Sequence, residues 1–297
     1  MTGVPRLPDW LTRPLSDPAM TRKVRRALTD NSLNTVCDEA RCPNRAECFG
    51  RGTATFMILG DRCTRDCGFC AVRHGEPAAP DAQEPSRVAA AAKALGLRYV
   101  VVTSVTRDDL EDGGAARFAA TVGEIRREIP DAGVELLVPD FEGDASALDR
   151  VIESRPDVLG HNIETVRRLY PGVRRGASYE RSLEVLRRIA ESRLVHHTKS
   201  SLMLGLGESR EEVEEALSDL KRAGVGIVCI GQYLRPSPDH LAVERFVPPR
   251  EFDDLKRHAL AAGFDRVFSG PFVRSSYRAE EGPAERGEGA GVLTARS

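Results

Sequence analysis

Six of the seven cysteines lie between Cys37 and Cys70, and Cys229 alone stands apart. An odd, crowded set of thiols does not fit a secreted disulfide framework, which spreads its bridges and pairs its cysteines. In a reducing compartment clustered thiols bind metal or do chemistry instead. The N-terminus, MTGVPRLPDW, has no apolar core, small-residue cleavage site or amphipathic presequence. The longest apolar runs, Thr53 to Gly60 and Tyr99 to Val102, fall far short of the roughly 20 residues that cross a bilayer. We therefore expect a cytoplasmic chain that does not enter a membrane. With 43 basic against 45 acidic residues the formal charge is −2, so no basic excess argues for a nucleic-acid partner.

From about residue 53 onward, short apolar runs alternate with amphipathic stretches, the pattern of parallel strands joined by crossover helices. Candidate strands are Thr53 to Leu59, Arg98 to Thr103, Val134 to Val138, Val158 to Asn162, Thr198 to Leu204 and Gly226 to Gln232. Helices are expected near Pro85 to Ala94, Ala115 to Glu128, Ala145 to Glu153, Tyr179 to Glu191, Ser209 to Ala223 and Pro249 to Ala262. Gly96, Gly133, Gly224 and Gly263 stand where left-handed helix caps are expected. Ser209 followed by Glu212 has the form of a capping box. Six β/α units make an α/β protein, either a partial barrel or an open doubly wound sheet, and the pattern does not separate the two. In both, chemistry gathers at the carboxyl ends of the strands.

Residues 1–52 break the pattern, with Pro5, Pro8, Pro14, Pro18 and Pro43, three cysteines and no strand. They read as an N-terminal extension laid over a core at 53–272. Residues 273–297 form a C-terminal segment, whose tail from Ala279 is rich in Gly, Ala and charge and is expected to be mobile.

Cys63, Cys67 and Cys70, in DRCTRDCGFC, follow the run TATFMIL and so occupy the loop leaving the first strand. Three thiolates can hold three corners of one iron–sulfur cubane, leaving one iron open to a small molecule. A structural zinc knuckle or unligated thiols are the alternatives, although structural zinc normally uses paired Cys or Cys/His sets. Cys37, Cys42 and Cys48, in CDEARCPNRAEC, are a second set of three with no neighbouring His or Cys to complete four. A second cluster there needs a distant ligand or another open iron, and a zinc or redox thiol site is the alternative.

The spacing CxxxCxφC, with Phe69 before the last cysteine, resembles the signature of radical S-adenosylmethionine enzymes. Longer segments resemble lipoyl synthases: NTVCDEARCPNRAECFGRGTATFMILGDRCTRDCGFCAV, TSVTRDDLEDGG, HNIETV, TKSSLMLGLGE, IGQYLRPSPDHL and GPFVRSSY, in order from about Pro8 to Tyr277. The resemblance implies a partial (β/α)6 TIM-like barrel of the radical S-adenosylmethionine type with N- and C-terminal extensions. It implies two [4Fe–4S] clusters. One, on Cys63, Cys67 and Cys70, chelates S-adenosylmethionine and reduces it to a 5′-deoxyadenosyl radical. The other, on Cys37, Cys42, Cys48 and a serine of the RSSY motif, is the sacrificial sulfur source. Ser276 is the favoured serine, with Ser275 the alternative. The implied reaction inserts two sulfurs at carbons 6 and 8 of a protein-bound octanoyl chain, using two S-adenosylmethionines. The implied partners are an octanoylated lipoyl carrier (the lipoyl domain of a 2-oxoacid dehydrogenase E2 or the glycine cleavage H protein), an electron donor such as flavodoxin or ferredoxin, and a cluster-repair carrier.

Polar loops at strand ends supply the remaining expected cofactor contacts. Thr103, Ser104, Arg107, Asp108 and Asp109 follow the second strand and are suited to the amino-acid end of S-adenosylmethionine, although a solvated loop has the same composition. His161, Asn162, Glu164 and Thr165 end the fourth. The family usually has Asn where this chain has Gly160, and Gly where it has Ser201. Lys199, in an apolar strand, either lines the polar mouth or snorkels outward. Phe69, Thr103, Ser104, Asp108, Asn162, Glu164 and Lys199 are the expected cofactor-binding set. GLGE at Gly205 to Glu208 lacks the rest of a phosphate loop and reads as a turn. Cys229 reads as packing. The stretch Thr165 to Arg193 carries eight arginines against three glutamates, which suggests either a solvated helix face or a dock for an acidic carrier.

Overall fold

The computed structural model describes residues 7–12 and 17–281. A 3-10 turn at Asp9–Leu11 buries Leu11. Helix α1, Pro18–Asp30, begins on the Asp17 carboxylate, which accepts the Ala19 N–H at 2.8 Å, and turns Val24 and Leu28 inward. Strand β1 (Asn34–Thr35) and helices α2 (Val36–Glu39) and α3 (Arg45–Gly50) follow. β1 pairs antiparallel with β2 (Thr55–Ile58), Asn34 opposite Met57 and Thr35 opposite Phe56. The extension read as strandless thus contributes an edge strand, two residues being too few for alternation to register.

Next come β3 (Arg62–Cys63), β4 (Arg73–His74), α4 (Glu84–Leu95), β5 (Tyr99–Ser104), α5 (Ala115–Glu128), β6 (Gly133–Leu137), α6 (Ala145–Glu153) and β7 (Val158–Gly160). The chain continues through α7 (Tyr170–Val173), α8 (Tyr179–Ser192), β8 (His197–Leu204), α9 (Arg210–Arg222), β9 (Ile227–Gln232), α10 (Pro249–Ala261) and β10 (Arg266–Ser269). The main sheet runs β1-β2-β5-β6-β7-β8-β9-β10, and every pair from β2 to β10 is parallel and in chain order. A doubly wound sheet reverses its order at a switch point. This one never reverses, so right-handed crossovers leave all the helices on one side and the sheet curves as a partial barrel with edges at β1 and β10. Six β/α units are therefore followed by a seventh parallel strand. That strand, RVFS, is too short and polar to stand out in the sequence.

Alternation along the strands divides two faces. Phe56, Ile58, Val100, Val102, Val134 and Leu136 meet α4, α5 and α6 in one apolar core. Leu202, Leu204, Val228, Ile230 and Val267 meet α8, α9 and α10 in a second. The lumen side carries Thr55, Tyr99, Val101, Glu135, Lys199, Ser201 and Cys229. The capping box at Ser209 and Glu212 forms, and Gly96, Gly224 and Gly263 have φ of +72°, +84° and +91°. Gly133 is not a cap. It opens β6, where a Cβ would come within 2.5 Å of the Tyr99 ring. The expected mobile tail begins instead as an ordered 3-10 turn, Ala279–Glu281, with Ala279 buried; the rest of that tail, 282–297, lies outside the described residues. Among the described residues no helix is long and apolar enough to cross a membrane.

Candidate functional site

The loop carrying Cys63, Cys67 and Cys70 leaves the carboxyl end of β2. The short β3–β4 ladder, Arg62 with Arg73 and Cys63 with His74, closes its base. Backbone N–H groups of Arg65 and Thr106 point at Cys63 Sγ from 3.4 and 3.3 Å. Across the mouth, the Gly68 N–H donates to the Val173 carbonyl and the Leu241 N–H donates to the Gly68 carbonyl, both at 3.0 Å. A Cβ on Gly68 would lie 3.0 Å from Leu241 Cγ and 3.2 Å from the Gly172 carbonyl, so the close approach requires glycine. His240 Nε2 lies 3.0 Å from the Cys70 carbonyl and must carry the proton, since a carbonyl only accepts. Phe69 packs with Val173, Leu206 and Tyr233. Burial raises the Cys67 thiol to about 11, against the pull of Arg174, and the Cys70 thiol to about 12. Ligation needs thiolates, so loading this loop releases protons.

Arg65, inside the first cysteine spacing, ties the loop to two strands. Its guanidinium donates to both Asp108 oxygens at 2.8 Å and reaches Asp140 Oδ1 at 2.7 Å. Arg181 approaches the other Asp140 oxygen at 3.3 Å. Burial alone would raise the Asp140 carboxyl, but the Arg65 guanidinium and the neighbouring donors bring it down to about 2. Arg174 donates to the Asn162 carbonyl and to the Tyr170 hydroxyl, both at 2.7 Å.

The second cysteine set lies at the other end of β2, a strand ~13 Å long at about 3.3 Å per residue. Because β1 runs antiparallel to β2, the chain delivers Cys37 to the start of that strand. There a cavity is lined by Cys37, Cys48, Thr55 and Tyr99 together with Ser276 and Tyr277 from the far end of the chain. Cys42 is tied to the set through its N–H, which donates to the Cys37 carbonyl at 3.1 Å. Burial first, and then the neighbouring Cys42, push the Cys37 thiol up to about 12. Two segments far apart in the sequence are latched here. Asn44 Nδ2 donates to the Phe272 carbonyl at 2.7 Å, the Tyr277 hydroxyl donates to Glu47 at 2.8 Å, and Arg51 meets Glu280 at 3.2 Å. Ser275 turns elsewhere, its hydroxyl donating to Asn162 Oδ1 at 3.1 Å.

Residues 57–220 match the Radical SAM superfamily. Over 95% of this chain and 88% of the relative, the sequence is 57% identical to a lipoyl synthase of Symbiobacterium thermophilum. It is 53% identical to one of Rubrobacter xylanophilus over the same shares of both chains. The chain belongs to the lipoyl synthase family. A crystal structure of Streptococcus suis SuiB bound to S-adenosylmethionine superimposes with a TM-score of 0.55 at 12% identity, covering 71% of this chain and 48% of that one, a likeness of fold. Membership of the superfamily implies S-adenosylmethionine and a [4Fe–4S] cluster, and the donor set fits one. Three thiols share one loop, and two backbone N–H groups already aim at one sulfur, the kind of hydrogen bond that tunes such clusters. Among the described residues no three His, Cys, Asp or Glu side chains converge on a single ion.

Several of the expected cofactor contacts are engaged within the chain. Lys199 neither lines the mouth nor snorkels. It is 2% exposed near the start of β8, and its ammonium donates to Glu135 Oε1 at 2.7 Å while the Tyr99 hydroxyl donates to the other oxygen at 2.9 Å. Ser104 shares the helix-facing side of β5 with Val100 and Val102, its hydroxyl buried without a partner, and Thr103 donates to the Leu137 carbonyl at 2.9 Å. Asp108 is engaged by Arg65, and Arg107 by Asp109. Asn162 donates to Glu164 at 2.9 Å, and burial raises the Glu164 carboxyl against the opposing charge of Arg174. His161 is a buried bridge between the Val138 carbonyl and the Ser182 hydroxyl, and burial with the charge of Arg174 lowers it to about 4. Gly160 lies where a Cβ would stand 3.0 Å from the Lys199 carbonyl, so a larger residue there needs the strands to move apart.

Glu208 accepts the Gly205 and Leu206 N–H groups at 2.6 and 2.9 Å, which makes GLGE a self-capped turn. Cys229 is 1% exposed, as expected of packing. The arginine run is largely neutralised: Arg167, Arg168, Arg175, Arg181, Arg187 and Arg188 meet Glu180, Glu212, Asp66, Asp140, Glu184 and Asp149 in turn. These largely exposed pairs fit the solvated-face alternative. Sequence reasoning missed Arg65, Asp140, Tyr99 and Glu135. Asp140 follows a strand's carboxyl end, the same positional signal that singled out His161.

Proposed function

We propose that the chain makes the lipoyl group, inserting sulfur at carbons 6 and 8 of an octanoyl chain carried on a lysine of a lipoyl carrier protein. Cys63, Cys67 and Cys70 hold the cluster that binds S-adenosylmethionine. Cys37, Cys42, Cys48 and Ser276 hold a second [4Fe–4S] cluster, consumed as the sulfur source. The observation that carries this reading is the arrival of Ser276 at the cavity of Cys37 and Cys48 while its neighbour Ser275 donates to Asn162. A serine oxygen is a harder donor than a thiolate and the poorer match to iron–sulfur, so its corner is the one to open first.

When bound, the cofactor cluster and S-adenosylmethionine supply an organic radical that takes hydrogen from an unactivated carbon, where acid–base catalysis has no route. The chain's own residues do the orienting. Arg65 fixes the cysteine loop to Asp108 and Asp140. Phe69 and its apolar neighbours offer a wall for the adenine. Asn162 and Glu164 present polar groups at the carboxyl end of β7. A flavodoxin- or ferredoxin-type donor supplies electrons, a repair carrier rebuilds the spent cluster, and the carrier substrate is the lipoyl domain of a 2-oxoacid dehydrogenase E2 or the glycine cleavage H protein.

Anaerobic reconstitution should yield about eight irons per chain, the four-iron count applied twice. Turnover with an octanoylated carrier should add two sulfurs with loss of two hydrogens, read by mass spectrometry. A single cluster, bound zinc or an unmodified carrier would sink the reading.

A further inference from the structure

The turn that takes the chain from β2 into the cysteine loop is left-handed at two successive residues, Leu59 at φ +69° and Gly60 at φ +92°. Glycine adopts that backbone freely, whereas leucine does so only when its surroundings impose it. Leu59 is held on three sides. Its N–H donates to Glu84 Oε2 at 2.8 Å, and the Gly60 N–H meets the same carboxylate, so two consecutive amides form a nest around one anion. Its carbonyl accepts from an Arg107 terminal nitrogen at 3.1 Å. Arg107 is itself gripped by both Asp109 oxygens at 2.8 Å. The Leu59 side chain is packed against Gly114, where a Cβ would lie 2.2 Å from Leu59 Cδ1.

Both charged partners are out of solvent, Glu84 at 7% and Arg107 at 2% exposure. Taking two charges out of water is costly, and here the two serve the opposite peptide groups of one residue. A glycine at position 59 would make the turn with no clamp at all, but it would leave the direction of the loop loose. Leucine with two buried charges gives one conformer. Radical chemistry tolerates little looseness, because a displacement of about 1 Å can cost about a hundredfold in rate.

We propose that Glu84 and Arg107 are positioning residues of the radical site, which hold Leu59 left-handed and thereby set the direction in which Cys63, Cys67 and Cys70 leave β2. The proposal rests on the reading of those cysteines as the cofactor-cluster ligands.

The test compares the wild-type chain, Glu84→Ala and the double variant Glu84→Ala/Leu59→Gly, each full length and reconstituted anaerobically. Glu84→Ala should slow reductive cleavage of S-adenosylmethionine by about ten- to a hundredfold and alter the electron paramagnetic resonance spectrum of the reduced cofactor cluster. Adding Leu59→Gly should recover much of that rate and the original spectrum, since glycine takes the turn unaided. It also deletes a buried side chain, so the double variant should melt lower than Glu84→Ala while cleaving faster. A purely structural role makes both quantities fall together, and that result overturns the proposal. So does a Glu84→Ala variant with wild-type cleavage and spectrum. Should Glu84→Ala not fold, Glu84→Gln takes its place, since its amide group opposes one of the two N–H donors, and recovery by Leu59→Gly is again required. Amide hydrogen exchange across 55–63 tests the clamp even if the wild-type chain cleaves no S-adenosylmethionine, which would count against the functional reading. Exchange should quicken in Glu84→Ala, and unchanged protection overturns the clamp.

Discussion

Ser275 and Ser276 carry the same hydroxyl one residue apart, yet one faces Asn162 and the other the cavity of Cys37 and Cys48. Ser276→Ala should therefore cut lipoyl formation by about 10–100-fold, the usual cost of disturbing a metal's surroundings, while S-adenosylmethionine cleavage persists. Ser275→Ala should leave the iron content at the wild-type level, checked by iron analysis of both variants. His161 gives a prediction in pH. Its folded value of about 4 lies below the ordinary 6.5, so between those two values the unfolded chain binds the extra proton. The stability it contributes is complete above about pH 6.5 and is lost as pH falls toward 4, on the order of 3 kcal/mol in all. His161→Gln should flatten that part of the pH dependence in urea titrations. The six cysteines stand out in the sequence because their grouping is one of local spacing. Where Ser275 and Ser276 point is not written in spacing, because it depends on how a distant segment enters the lumen; resemblance alone favours Ser276.

Tyr99, Glu135 and Lys199 join β5, β6 and β8 across the inside of the barrel. Removing one charge strands the other, so Lys199→Met should cost about 3–5 kcal/mol of stability. Lys199→Met/Glu135→Leu should recover part of that loss, as measured by chemical denaturation. The Lys199 reading failed for a physical reason: one-dimensional context gives the apolar neighbours on its own strand but not Glu135 two strands away. Of Thr103 and Ser104 only the first lies on the lumen side, since adjacent residues on one strand face opposite ways. By contrast, α5 and α6 follow the sequence closely, Ala115–Glu128 and Ala145–Glu153, because long amphipathic periods leave little room for tertiary override. β1, β10 and α1 escaped notice, the strands through shortness and the helix through its proline-rich setting.

For the molecule as a whole, the two cysteine sets divide along β2, and their loss should be separable. Replacing Cys37, Cys42 and Cys48 together by Ala should leave about four irons and S-adenosylmethionine cleavage intact but yield no dithiolane. Replacing Cys63, Cys67 and Cys70 should keep about four irons and abolish cleavage. Iron analysis and detection of 5′-deoxyadenosine check both. The cavity at Cys37 has a further consequence in time. The loop at Cys63, Cys67 and Cys70 is complete within a few residues, but the walls of the Cys37 cavity come from segments on either side of the barrel sequence, joined by Asn44–Phe272, Glu47–Tyr277 and Arg51–Glu280 among other contacts. A ribosome delivers the first wall long before the second. Whatever fills that chamber can be enclosed only once those two distant segments have met, so its capture follows the folding of the strands between them.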